Sequence, residues 1–432
     1  MTAVKRHRVA AEGRDRLMRI VKQPRPRLPE ETSRLREEVA AIIDDVRKGG
    51  DRALADYSRR FDATSRSVFR VSPEEIAEAR SLVDAGLIGL MEDGAANIRS
   101  FAERQKTALT ELPEKEMSPG VFLGHRVLPV PSCCCYVPGG GFPLFSTALM
   151  LALPARVAGV GRVVATTPVM KGTDRIHPAT LTALAIAGVD EIYALGGAQA
   201  VAAFTWGTKQ IRPVDMIVGP GNRYVTEAKR QCYGPVGIDF IAGPSEVLVI
   251  ADGGADAELI AADLLAQSEH DLEARGIVVT DDEVLARAVA DAVERRLAAM
   301  GETMARRAWE DNGEILVVDD LIEACSVADD YAPEHLELVV DDAEALVGRL
   351  HNYGALFVGA LSAEVFGDYV AGPNHTLPTL RASRYTGGVW AGTFLKVCTR
   401  QRMTAEGVAR LAPVAAALAR AEGLEAHAAA AE

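Results

Sequence analysis

Apolar positions in the first quarter of the chain repeat at helical spacing. Between Glu30 and about Arg59, Val39, Ile42, Ile43 and Val46 fall on one stripe, and Gly49-Gly50 interrupts it. Helical patterning then continues through Ala102. From Arg126 the texture changes to short apolar runs, each closed by small residues. Tyr136-Val-Pro-Gly-Gly-Gly141 closes the first, 163–167 ends at Pro168, 192–195 at Gly196-Gly197, and 216–218 at Gly219-Pro-Gly-Asn222. Helical stretches at 146–158, 179–187, 198–205 and 224–232 lie between them. A second alternation places strands at 247–251, 276–280, 315–318 and 355–358, with helices around 255–270, 282–300 and 343–350. Such alternation predicts parallel sheets with helices on their faces. The chain reads as two α/β domains, one inserted in the other, because the helices before Ala102 need a sheet to cover. Residues 1–28, basic and rich in proline towards their end, read as an arm. Residues 29–135 with 247–388 form a discontinuous first domain, 136–246 the second, and 389–432 a helical tail.

Composition adds bounds. The chain has 432 residues, 48% hydrophobic and 25% charged, enough for two or more domains. A formal net charge of −13 argues against nucleic acid and anionic membrane as main partners. No run approaches the ~18–20 apolar residues of a membrane helix, and no apolar core follows the basic N-terminus as a secretory signal needs. Three of six cysteines are consecutive, Cys133–Cys135. Neighbours on a strand point to opposite faces, so these thiols cannot converge on one metal. They are expected as small buried residues, in keeping with a reducing cytoplasm.

The most chemically loaded stretch is Phe366-Gly-Asp-Tyr-Val-Ala-Gly-Pro-Asn-His-Thr-Leu-Pro-Thr379. Its glycines and prolines make a poor helix or central strand, so Asp368 and His375 read as site residues on a loop. Gln267 and His270, three apart on a predicted helix, share a face. His270 and Asp368 are ordinary zinc ligands and the Gln267 amide oxygen an uncommon one; spacing alone favours a surface helix face. Glu334-His335 follows Tyr331-Ala-Pro333. A histidine suits taking an alcohol proton, and a glutamate in an apolar cleft suits activating water. The same pair also reads as a helix start. His427, on a C-terminal helix, reads by itself as exposed, and Glu364 and Glu422 as solvated charges. The three glycine loops suit a dinucleotide at the carboxyl ends of strands. None is Gly-x-Gly-x-x-Gly, so tight turns describe each equally well.

Taken together, these segments resemble the histidinol dehydrogenase family over nearly the whole chain. The resemblance rests on Gly50-Asp-Arg-Ala-Leu-Ala-Asp-Tyr-Ser-Arg-Arg-Phe-Asp62, Tyr136-Val-Pro-Gly-Gly140, Leu144-Phe-Ser-Thr-Ala-Leu-Met150, Gly196-Gly-Ala-Gln-Ala200 and Gly219-Pro-Gly-Asn222. It continues through Ala242-Gly-Pro-Ser-Glu246, Asp263-Leu-Leu-Ala-Gln-Ser-Glu-His270, Ala332-Pro-Glu-His-Leu336 and the 368–379 run. It implies two Rossmann-like domains in an intertwined homodimer, with one zinc ion per subunit on Gln267, His270, Asp368 and His427. It makes Glu334 and His335 the proton carriers. NAD contacts fall on Tyr136, Gln199 and Asn222. Substrate contacts fall on Ser245, Glu364, His375 and Glu422, together with His335 and the zinc ligands. The tail, with Glu422 and His427, would complete the partner's site. The implied reaction is oxidation of L-histidinol through a bound aldehyde to L-histidine, using two NAD⁺ in turn.

One segment departs from the pattern. After Pro378-Thr379 the family runs on with a glycine, whereas this chain reads Leu380-Arg-Ala-Ser-Arg-Tyr-Thr-Gly-Gly-Val-Trp-Ala-Gly392. Tyr385-Thr-Gly-Gly388, Thr399-Arg-Gln-Arg402 and Cys135-Tyr-Val-Pro-Gly-Gly look similar to the sulfopropanediol 3-dehydrogenase branch, whose substrate is 2,3-dihydroxypropane-1-sulfonate. Arg381, Arg384, Arg400 and Arg402 either give a sulfonate paired contacts or are surface arginines near the dimer seam. Glu364 and Glu422 would repel an anion. Three expectations follow: oxidation of histidinol first, of another hydroxylated substrate second, and a non-catalytic zinc-binding paralogue last.

Overall fold

A computed structural model describes residues 5–11, 14–25, 32–139 and 143–432. Five short apolar strands form a parallel sheet in the order Glu191–Ala194, Arg162–Thr167, Ser132–Tyr136, Met216–Val218, Gly237–Ile238. The chain steps outward from Ser132–Tyr136 on one side and then returns to fill the other. That reversal opens a crevice at the carboxyl ends of Ser132–Tyr136 and Met216–Val218. The consecutive cysteines are buried in this sheet, as expected. Cys133 and Cys135 join the apolar cluster on one face and Cys134 that on the other.

The second sheet has seven strands, in the order Lys5–Ala11, Arg14–Lys22, Glu314–Val317, Arg275–Thr280, Glu246–Ala251, His335–Val339, Ala355–Val358. The last five are parallel and repeat the strand order of the first sheet. The first two form an antiparallel hairpin on its edge. Asp256, Asp282 and Asp320 cap the helices Ala257–Ser268, Glu283–Met300 and Leu321–Tyr331 by accepting from backbone N–H groups of the first turn. The first of these caps matters most, because Ala257–Ser268 carries Gln267 in its last turn. Among the described residues no helix is long and apolar enough to cross a membrane.

Insertion of one unit in the other is observed, but the joints fall elsewhere than expected. The helices of 32–107 cover the five-stranded sheet. Val39, Ile42, Ile43 and Val46 pack with Cys134 and Tyr136, while Met91, Ala95 and Ile98 pack with Cys133 and Cys135 on the opposite face. An apolar helix stripe states that a sheet is needed without stating which one. The strand Ser132–Tyr136, split by the expected boundary, is the centre of the five-stranded sheet. Part of the expected arm supplies the hairpin; residues 1–4, 12–13 and 26–28 lie outside the described residues, as do Gly140 and Gly141. The tail is not wholly helical. Leu395–Met403 is a strand, pairing with Val121–Pro129 beside Leu112–Ser118, before the helices Ala405–Ala421 and Glu425–Ala431. Its side chains are mostly exposed on both faces, so no apolar alternation announced it.

The edge of the five-stranded sheet is tied by Arg162, which donates to both oxygens of Glu191 at 2.9 and 3.3 Å, while the Tyr193 hydroxyl donates to the same carboxylate at 2.6 Å. Arg162 beside it holds the Glu191 carboxyl down at about 2. A depressed carboxyl pKa adds stability above the unfolded value of about 4.5 and loses it as pH falls towards 2. The shift corresponds to roughly 3 kcal/mol, which solvent at the sheet edge trims to about 1–2 kcal/mol. Glu191→Gln should therefore lower stability by about that much at pH 7 in denaturant titrations. The deficit should shrink below pH 4.5; a deficit independent of pH would contradict this account.

Candidate active site

The segment 374–379 ties the two units together. Asn374 Nδ2 donates to the Met150 carbonyl at 2.5 Å, and His375 Nε2 lies 3.2 Å from Thr147 Oγ1. Both partners sit on the helix Phe145–Ala158, which covers the five-stranded sheet. A third contact follows, in which the Gly243 N–H donates to Thr379 Oγ1.

His335 opens the strand His335–Val339, between Val247 and Ala355 of the neighbouring strands. The expected helix start is thus a strand start; Pro333 is compatible with either. Its ring is buried, with the residue 4% exposed. Nδ1 lies 3.0 Å from Gln267 Nε2, 3.3 Å from the Glu246 carbonyl oxygen and 3.4 Å from Glu364 Oε1. Two acceptors against one donor favour the Nδ1–H tautomer, which leaves the Nε2 lone pair as the basic position. Nε2 is buried and has no hydrogen-bond partner among the described residues. Burial lowers the imidazole to about 3, so it is neutral at physiological pH. His375 is similarly lowered by burial, to about 4. Its Nδ1 donates to the Asp368 carbonyl at 2.9 Å, which fixes its orientation.

Carboxyl groups crowd around His335. Glu334 accepts from the Glu246 N–H at 3.0 Å, and the Glu364 N–H donates to Glu337 Oε1 at 3.0 Å. Burial pushes Glu334 and Glu364 well above the usual carboxylate range, and neighbouring carboxyls add to it. Asp368, raised by burial to about 6, is partly offset by His270. It lies on the short helix Glu364–Tyr369, where a loop was expected. Ligand atoms of His270, Glu364 and Asp368 come within 4.8 Å of one another. Gln267 Oε1 and Glu364 Oε2 are buried without a hydrogen-bond partner among the described residues. Crowded acids and an orphaned amide oxygen fit a bound cation, which would neutralise the first and engage the second.

Of the residues expected at the site, Gln267, His270, Glu334, His335, Glu364, Asp368 and His375 gather here. Ser245 is half-buried just before Glu246–Ala251. Glu422 and His427 are exposed on the tail and join no such cluster among the described residues. Tyr136 and Asn222 lie at the crevice of the five-stranded sheet. The Tyr136 hydroxyl accepts from the Gly197 N–H at 3.0 Å, and Asn222 caps the helix Arg223–Cys232. Gln199 is buried in the helix Gly197–Trp206. The arginines do not converge. Arg400 and Arg402 pair with Glu114 on the three-stranded sheet, Arg384 lies 3.8 Å from Asp330, and Arg381 is exposed. Glu246 escaped the sequence reading, although it touches both Glu334 and Leu380. Glu337 carried a usable signal, because a carboxylate between Leu336 and Leu338 in a strand at the sheet's interior is unusual.

A profile of the histidinol dehydrogenase family matches residues 25–432. Histidinol dehydrogenase of Rhodospirillum rubrum is 48% identical over 393 residues, covering 90% of this chain and 89% of that protein. A histidinol dehydrogenase homolog of Shouchella clausii is 44% identical over 405 residues, covering 93% of this chain and 94% of that protein. The crystal structure of histidinol dehydrogenase from Elizabethkingia anophelis superimposes with a TM-score of 0.86 at 37% identity, covering 95% of this chain and 93% of that one. The chain belongs to the histidinol dehydrogenase family.

Proposed function

We propose that the chain is a zinc- and NAD-dependent dehydrogenase that oxidises L-histidinol through a bound aldehyde to L-histidine. The observation that carries this reading is the neutral His335, whose Nε2 is buried without a hydrogen-bond partner among the described residues and whose Nδ1 lies 3.4 Å from Glu364 and 3.8 Å from Glu334. The neutral imidazole of His335 would take the alcohol proton, and NAD⁺, when bound, would supply the acceptor for the hydride of the carbinol carbon. Glu334, beside it, would draw a proton from water adding to the aldehyde once bound positive charge offsets the burial that favours its protonated form, and loss of a second hydride would leave the carboxylate. The balance is RCH₂OH + 2 NAD⁺ + H₂O giving RCOO⁻, 2 NADH and 3 H⁺. Gln267, His270 and Asp368, with His427 from a second copy, would hold the zinc. When bound, zinc supplies positive charge that orients the substrate. Tyr136, Gln199 and Asn222 would meet NAD, and Ser245, Glu364, His375 and Glu422 the substrate. The acidic lining favours a cationic amino alcohol over a sulfonate, and the pairing of Arg400 and Arg402 with Glu114 supports the same preference.

His335→Ala should lower kcat by roughly 10²–10⁴-fold while zinc content stays at the wild-type level; unchanged turnover would refute the mechanism. A shared site makes a sharper prediction. In mixed dimers of His335→Ala and His427→Ala, one site in each heterodimer keeps both residues. Random mixing should therefore restore roughly a quarter of wild-type activity. No recovery in heterodimers verified by mass would contradict completion of the site by the partner.

A further inference from the structure

Lys229 and Asp239 form a buried ion pair outside the site described above, with side chains 2% and 1% exposed. Both hold the same residue. Lys229 Nζ donates to the Gly219 carbonyl at 2.8 Å, and the Gly219 N–H donates to Asp239 Oδ2 at 2.7 Å. Nζ also pairs with Asp239 Oδ1, closing the ring. Gly219 ends the strand Met216–Val218 at the crevice, and its φ of +120° lies in a region that favours glycine. A Cβ there would collide with the Tyr136 carbonyl oxygen. Helix, strand end and loop are thereby fixed together at the point where the sheet reverses its strand order. A pair that only filled a core would not need to hold both polar groups of one loop residue. Two charges brought out of water need complete pairing, and here the loop backbone is part of it.

We propose that Lys229 and Asp239 are positioning residues for the dinucleotide: they hold the Gly219-Pro-Gly-Asn222 loop in the conformation that receives NAD, and act on cofactor affinity. This inference rests on the NAD reading above. Both side chains are buried behind Gly219, so neither would touch the nucleotide itself. Loss of the pair frees the loop to leave its receptive conformation. If that conformation is then populated about a tenth of the time, the apparent Kd for NAD⁺ rises about ten-fold.

The test is NAD⁺ titration by calorimetry, with initial-rate kinetics, on wild type, Lys229→Met, Lys229→Arg and Asp239→Asn. Lys229→Met should raise Kd and KM for NAD⁺ about ten-fold. Its kcat at saturating NAD⁺, its KM for the alcohol and its zinc content should stay near wild type. Lys229→Arg, which keeps charge and donors, should recover much of the affinity. Unchanged NAD⁺ affinity in a variant with lowered thermal stability would overturn the inference, because the pair would then be structural only. If Lys229→Met does not fold, Asp239→Asn, which preserves side-chain size, decides by the same criterion. Failure of wild-type protein to bind NAD⁺ would instead sink the cofactor reading, and this inference with it.

Discussion

The site is governed by the cost of placing carboxyl groups together out of water. Glu334, Glu364 and Asp368 are all raised by burial. Among the described residues no arginine or lysine neutralises them; His270 partly offsets Asp368 alone. Such a cluster is neutral while it holds its protons, and it ionises at lower cost once an external positive charge, from a metal ion, a cationic substrate or both, stands beside it. The neutral state of His335 follows from the same burial, and it is the state a proton acceptor requires.

The fold joins this cluster to a second unit by using one strand order twice. In the five-stranded sheet a crevice opens at the carboxyl ends of the strands, where the strand order reverses. In the seven-stranded sheet Glu246 and His335 stand at the amino ends of two adjacent strands. The contacts of His375 with Thr147, and of Asn374 with Met150, hold the two units together beside the cluster. Hydride transfer demands close and fixed placement of two reactants, which this arrangement suits.

Much of this was legible in the sequence. Short apolar runs closed by Gly196-Gly197 and Gly219-Pro-Gly marked the parallel strands, because buried strands and their turns both leave local signals. The residue types at 267, 270, 334, 335, 368 and 375 singled out side chains that the fold brings together, although the family resemblance was needed to propose roles for them. Helix placement was not legible: the stripe on Val39, Ile42, Ile43 and Val46 fits either sheet. Nor was the strand Leu395–Met403, whose two largely exposed faces carry no alternation. Glu246 was hidden for another reason. Its role comes from backbone and side-chain contacts across the sheet, which no local spacing encodes.

The most direct measurement is the NADH formed per molecule of alcohol consumed by zinc-loaded protein, with L-histidinol and 2,3-dihydroxypropane-1-sulfonate tested side by side. The account predicts two NADH for each histidinol and no turnover of the sulfonate. Turnover of the sulfonate alone would contradict it, because an anion would then have been accepted among buried acids.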